Sequence, residues 1–446
     1  MKEGAVKNVL VLGAGLVAGP LVRYLLDVDG FRVTVASRTL EKAQRLVGDA
    51  TNGVARALNV KDEAALEALI AAHDLSISLL PYVHHPTVAR LCVKHRRQMV
   101  TTSYVKPEMQ ALDASAKGAG VILLNEIGVD PGIDHMSAMQ GIHRIEEAGG
   151  TLVSFVSNTG GLPAPDANDN PMGYKFSWAP RGVILAGKNP ARFLKEGETV
   201  EVPGPDLFAH HGPCEVRGFG TLEVYPNRDS IPYIDTYDIH SVRSMFRGTL
   251  RYPGWCDTLK RIVELGLLDE TERSDLAGLT FARVIGRLIG MNAPATKADL
   301  AKHFALPVDA KPITDLEWLG FFSDETLPKH ATTYLDMLAQ RMLSLMQYKP
   351  GERDMLVMQH EFTARYVDRT ETVYSTMVDY GIPNGDSSMS RLVGLPAAIA
   401  ARMILQGEIR LTGVHVPTIP EIYEPVLGEL ETIGVSFVET VARQAT

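Results

Sequence analysis

Cysteine is scarce in this chain: Cys92, Cys214 and Cys256 are its three. None forms a CxxC pair or sits at a Cys/His ligand spacing, so neither a disulfide framework nor a structural zinc site is expected. No metal ligand set is assigned, and a reducing cytoplasm fits. Basic blocks are missing as well. Lys and Arg number 44 against 53 Asp and Glu, for a net charge of -9. That argues against nucleic acid or an acidic membrane as partner. Long apolar runs are also lacking. The nearest imitation is the start, where Lys2 and Lys7 with "NVLVLGAGLVAGPLV" mimic a secretory signal. Gly13, Gly15, Gly19 and Pro20 interrupt it, and Arg23 and Asp27 follow. It reads better as strand, turn and helix, and no other run is expected to span a bilayer. There is no internal repeat or low-complexity tract. What remains is ordinary globular composition, 45% apolar, over 446 residues. That is more than one core usually serves, so two or three domains are expected.

Residues 7–128 alternate regularly. Apolar runs at 9–12, 32–36, 55–60, 75–80, 98–102 and 121–125 read as strands. Helical patterns at 16–26, 40–47, 62–72, 86–95 and 107–119 separate them. This rhythm predicts a doubly wound parallel sheet with helices on both faces. After Gly128, "VDPGIDH" predicts a helix with Asp130 as N-cap and Pro131 at its first position. Strands are expected at 151–157, 182–186 and 221–225, helices at 258–268 and 331–346, then strands at 355–366 and 371–380. A long helix is expected over Ser388–Gln406. The fold class is therefore α/β: a Rossmann-like sheet plus a mixed α/β domain with a helical insertion. The expected divisions are 1–130 completed by 388–446, 131–256 with 347–387, and 257–346.

Gly13, Gly15 and Ala18 form G-x-G-x-x-A directly after a strand and before a helix. The first glycine permits a tight turn, the second lets a pyrophosphate approach the backbone, and Ala18 permits close packing. The helix N-terminus favours phosphate charge. Leu16 and Val17 belong to the same turn. The second strand ends not in an acid, which would bind the ribose 2′-hydroxyl of NAD, but in Ser37, Arg38 and Thr39. A guanidinium between two hydroxyls suits the 2′-phosphate of NADP; a solvated Arg before a helix would look the same. The fourth strand ends at Ser78, Leu79 and Leu80, and the fifth runs into Ser103 and Tyr104. Strand carboxyl ends line the ligand crevice of such sheets, although surface turn residues would read alike.

Asp130 follows the sixth strand and is both a cap and a candidate proton carrier. The adjacent Asp134 and His135 give no common ligand face and read as structural. "YPNRDS" and "FRGTLRYPG" supply Arg228, Arg247, Thr249 and Arg251. Guanidinium groups bind carboxylates with paired hydrogen bonds, whereas any single surface Arg is as readily an ion-pair partner. The stretch "GGLPAPDANDNPMGYKFSWAPRGV" from Gly160 combines turn formers with Tyr174, Phe176 and Trp178 at alternate positions. The spacing predicts the start of a strand, with Tyr174 and Phe176 in the core.

These motifs, together with "GVDPGIDH", resemble the NADP-dependent, L-glutamate-forming saccharopine dehydrogenase family along nearly the whole chain. The resemblance implies a variant Rossmann domain completed by the C-terminus, a mixed α/β domain and a helical domain. It implies interconversion of saccharopine with L-glutamate and 2-aminoadipate 6-semialdehyde through an imine and hydride transfer, in a cytoplasmic homodimer. By the family pattern, Gly13 and Gly15–Ala18 hold the pyrophosphate, and Ser37, Arg38 and Thr39 the 2′-phosphate. Ser78, Leu79, Leu80 and Trp178 also contact the cofactor. Ser103, Tyr104, Asp130, Arg228, Thr249, Leu250 and Arg251 contact substrate, with Asp130 and Tyr104 as acid/base candidates. One departure stands out: Ser157-Asn158-Thr159 occupies a place where the family often reads Ser-Tyr-Cys. Two other readings stay open, an imine reductase joining an aldehyde to a diamine (carboxyspermidine type) and a non-catalytic NADP-binding regulator.

Overall fold

A computed structural model describes residues 6–177 and 180–445. The chain divides into two compact units, Met1–Gly149 with Gly385–Ser436, and Gly150–Asn384 with Phe437–Thr446.

The first unit is built on strands β1 (Lys7–Leu12), β2 (Phe31–Ser37), β3 (Gly53–Ala57), β4 (Leu75–Ser78), β5 (Gln98–Thr101) and β6 (Ile122–Leu124). A return strand, Gly413–His415, joins beside β6, and every pairing is parallel. The order is Gly413–His415, β6, β5, β4, β1, β2, β3. The order reverses between β4 and β1, and there the carboxyl ends open a crevice. Both faces are covered, which is why the second half of β1 reads as an apolar run and all four residues of β4 are buried, its two serines included. The intervening helices start within two residues of the expected positions, but the one expected over 107–119 is two helices, Pro107–Gln110 and Asp113–Ala119; Asp62 Oδ1 accepts the Ala65 N–H at 3.1 Å and caps Glu63–Ala72.

The helix Ser388–Gln406 is realised over the expected residues, capped by the Ser387 hydroxyl and ended at Gly407 with φ 77°. By length and composition this helix passes for a membrane span, with mean hydropathy 1.3. The expectation that no such run exists is corrected on that point. Its window is 67% buried, and it packs against Ala18–Leu26 and the sheet as a core helix.

The second unit holds β7 (Thr151–Pro163), β8 (Ala191–Lys195), β9 (Glu198–Val202), β10 (Gly212–Val216), β11 (Gly220–Pro226), β12 (Ser244–Arg251), β13 (Asp354–Arg365) and β14 (Arg369–Tyr380). The main path runs β10, β11, β12, β7, β13, β14 and the terminal strand Val438–Ala445. The β12–β7 pair is parallel and the rest of that path is antiparallel. Helices between 255 and 345 cover one face, and Leu162, Leu250, Leu259, Phe281 and Leu338 belong to one continuous core.

Four local expectations change. Asp130 does not cap the next helix. The Asp130–Pro131 peptide is cis, the helix runs Ile133–Glu147 from a Gly132 cap, and the Asp134 carboxylate accepts the Gly132 N–H at 2.6 Å. Residues 182–186 are not a strand but lie largely in the helix Pro180–Leu185. A short apolar run has no period of its own, and here a proline opens a helix instead. Tyr174 and Phe176 start no strand; Tyr174 is buried and Phe176 packs at the core edge. Finally, the compact units differ from the expected divisions: Ile133–Glu147 lies in the first unit, and Val438–Ala445 pairs in the second sheet.

Candidate active site

The glycine turn follows β1 and leads into the helix Ala18–Leu26. Gly13 has φ 112°, and a Cβ there would meet the Leu79 carbonyl oxygen at 3.1 Å. Any side chain would strain the turn and crowd the end of β4. A Cβ at Gly15 would meet nothing within 4 Å, so space stands open above the turn. Ala18 is fully buried. The helix carries no side-chain cap and no acid in its first turn, which leaves its N–H groups for an anion. These features fit a pyrophosphate. Leu16 and Val17 form the turn surface, with Leu16 75% exposed.

At the end of β2, Ser37 is half-buried while Arg38 and Thr39 are exposed. The Ser37 hydroxyl accepts the Thr39 N–H at 3.3 Å. No carboxylate among the described residues pairs with Arg38, so its guanidinium is available to a phosphate. The residues therefore fit NADP.

The ends of β4 and β5 form a hydrogen-bonded cluster. Ser78 Oγ lies 2.9 Å from His85 Nδ1, and His85 Nε2 lies 2.8 Å from Ser103 Oγ. Leu79 and Leu80 continue β4 as half-buried residues, and the Leu79 N–H donates to the Leu12 carbonyl at 2.9 Å. Tyr104 donates its phenol to Asp130 Oδ1 at 3.3 Å, so the two acid/base candidates are in contact. Behind them the buried Glu126, at φ 57°, organises the loop. Its Oε1 accepts the Val105 N–H at 2.8 Å and its Oε2 meets His135 Nε2 at 2.8 Å. Its own N–H donates to the Ser103 carbonyl at 3.2 Å. Sequence reasoning missed His85 and Glu126. His85 had a signal, since it opens the helix directly after the fourth strand.

In the second unit Arg228 is exposed, on the loop after β11, at φ 57°. Arg247, 4% exposed, stacks on Tyr233 with its guanidinium carbon 4.2 Å from the ring centroid. Thr249 is half-buried and Leu250 fully buried. Arg251, 5% exposed, lies among Tyr174, Trp255 and Tyr225 at 5.0, 5.7 and 5.9 Å from their centroids. Its Nη1 donates to the Leu250 carbonyl at 2.7 Å, and its Nε has no hydrogen-bond partner among the described residues. Thr159, at the departure from the family pattern, pairs in register with Thr249 across β7 and β12. Trp178 lies outside the described residues.

The fold also gathers His211, Glu223 and Cys256, with ligand atoms within 4.8 Å of one another. Spacing along the chain gave no sign of this. Glu223 acts as a helix cap there: its oxygens accept the Gly254 N–H at 2.8 Å and the Cys256 N–H at 2.6 Å. Burial and that carboxylate push the Cys256 thiol well above the usual range.

Residues 9–124 match the family model described as the saccharopine dehydrogenase NADP binding domain. Residues 128–435 match that of the saccharopine dehydrogenase C-terminal domain. Among curated relatives, the saccharopine dehydrogenase [NADP(+), L-glutamate-forming] of Schizosaccharomyces pombe is 41% identical, covering 97% of this chain and 99% of its own. The Saccharomyces cerevisiae protein of that name is 40% identical over 95% and 97%. The mitochondrial alpha-aminoadipic semialdehyde synthase of Bos taurus is 39% identical over 98% of this chain and 48% of its own length. The solved apo saccharopine dehydrogenase (L-Glu forming) from Saccharomyces cerevisiae superimposes with TM-score 0.91 at 38% identity, covering 98% of this chain and all of that one.

Proposed function

The chain belongs to the saccharopine dehydrogenase family, and from that premise we propose that it is an NADP-dependent, L-glutamate-forming saccharopine dehydrogenase. It interconverts saccharopine with L-glutamate and 2-aminoadipate 6-semialdehyde. The observation that carries the reading is the Tyr104–Asp130 contact in the unit that also holds the open glycine turn.

The glycine turn, Ser37, Arg38 and Thr39 would hold NADP, which would supply the two-electron redox chemistry. In the oxidative direction the secondary amine of saccharopine loses a hydride and a proton to become an imine. Water adds to the imine carbon, and the carbon–nitrogen bond breaks to release aldehyde and the glutamate amine. Asp130 and Tyr104 move the proton between nitrogen, water and solvent. Ser103, Arg228, Thr249, Leu250 and Arg251 are proposed as substrate contacts, with the guanidinium groups on carboxylates. The cytoplasmic homodimer is part of the same proposal; the unpaired cysteines support a reducing compartment, and sedimentation of the purified chain tests the dimer.

The deciding assay is NADPH oxidation with the semialdehyde, comparing L-glutamate with diamines. Turnover with glutamate alone supports the reading, turnover with a diamine alone replaces it with the carboxyspermidine type, and none with any amine leaves a regulator. Asp130→Asn is expected to lower kcat at least tenfold, on the order of one lost proton carrier, and to remove a limb of the pH–rate profile. An unchanged profile excludes Asp130 as the carrier.

A further inference from the structure

Resting on that reading of Ser103 as a substrate contact, we propose that His85 is a positioning residue. It sets the Ser103 hydroxyl as a hydrogen-bond donor toward a carboxylate oxygen of the substrate.

The direction follows from counting protons. Thr101 has one hydroxyl proton, and it donates that to the Ser78 carbonyl at 2.9 Å. Toward its other neighbours Thr101 Oγ1 can only accept. One is the Ser103 N–H at 3.4 Å and the other is His85 Nε2 at 3.4 Å. The proton of the imidazole therefore sits on Nε2, shared between Thr101 Oγ1 and the nearer Ser103 Oγ at 2.8 Å. Nδ1 is then the acceptor, and Ser78, 2.9 Å away, donates to it.

The chain of donors thus runs Ser78 to His85 to Ser103. Ser103 Oγ accepts the hydrogen bond from His85 Nε2–H and keeps its own proton for a ligand. Among the described residues His85 is the hydrogen-bond partner of that oxygen. Burial at 4% exposure keeps the ring neutral, with one donor and one acceptor, and lowers its pKa to about 4. A carboxylate suits the result, because it is acceptor-only and rewards a donor aimed in advance.

Two measurements test this. In the uniformly ¹⁵N-labelled full chain, the His85 side-chain resonances, assigned by their loss in His85→Gln, are expected to show the Nε2–H tautomer at neutral pH. A Nδ1–H tautomer or an imidazolium overturns the proposal without touching the assigned reaction. In steady-state assays His85→Asn is expected to raise the saccharopine KM about tenfold, the size of one lost hydrogen bond to a charged group. Its kcat and NADP KM should stay near those of the parent chain. His85→Gln, which places an amide N–H near the Nε2 position, is expected to recover most of the loss. Equal losses in both variants, or a rise in the NADP KM instead, overturn it. Ser103→Ala separates the two claims. If it leaves the saccharopine KM unchanged, the substrate-contact reading fails, while the tautomer still judges His85.

Discussion

A guanidinium on the surface at the end of the second strand can choose between two cofactors that differ by one phosphate. Arg38 is exposed and carries no ion pair among the described residues, so it pays little to turn toward a ligand. Hydrogen bonds to charged groups contribute about 1.5–3 kcal/mol each. Arg38→Ala is therefore expected to raise the NADPH KM roughly ten- to a hundredfold, by that same range, while leaving the NADH KM nearly unchanged. Steady-state kinetics with both cofactors checks this, and equal effects exclude the 2′-phosphate role. His85 makes a second residue-scale prediction. Burial, with the nearby His84 charge as a lesser cause, lowers its pKa from 6.5 to about 4. Between those values the unfolded chain binds a proton that the folded chain does not, so stability falls as pH drops through that window. Urea midpoints at a series of pH values should fall less steeply there for His85→Gln than for the parent chain.

At the scale of elements, β7 and β12 lie side by side, and their separation is set where Gly160 faces Leu250. A Cβ at Gly160 would meet the Leu250 carbonyl oxygen at 2.6 Å and its Cβ at 2.8 Å. Gly160→Ala must push one backbone away, and overpacking of this kind costs about 1–3 kcal/mol. A lower urea midpoint with unchanged slope is the expected result. Gly160, which opens the loop-rich stretch, thus serves strand packing, since β7 runs on to Pro163. Element existence was legible wherever period and caps agreed, as in Ser388–Gln406 and the β13–β14 hairpin. It was not legible at 182–186, where four apolar residues fit either state, nor around Asp130, where two acids four residues apart compete for one helix start. The structure starts the helix from Gly132, whose N–H the Asp134 carboxylate accepts, and sets Asp130 against Tyr104.

At the scale of the whole molecule, the second unit closes its sheet with the end of the chain. Val438–Ala445 pairs along β14 from Thr376 to Arg369. Deleting residues 437–446 would bare the edge of a long strand, and open edges template pairing between chains. The truncated protein is expected to lose stability and to form assemblies larger than those of the parent chain, which light scattering coupled to size exclusion would detect; an equally stable product of the parent's assembly size would refute this.

From residue order alone came the parallel nucleotide-binding sheet, its glycine turn, NADP as the cofactor and the family. All of these are local in the chain: periods of hydrophobicity, turn residues and short motifs act over a few neighbours. Tertiary structure alone decided which remote groups meet. It placed His85 between Ser78 and Ser103, Glu126 against His135 and Val105, and the C-terminal strand on the second sheet. Hydrogen bonds and strand pairings of this kind join residues separated in the chain, and their partners are selected by packing, which no local pattern encodes.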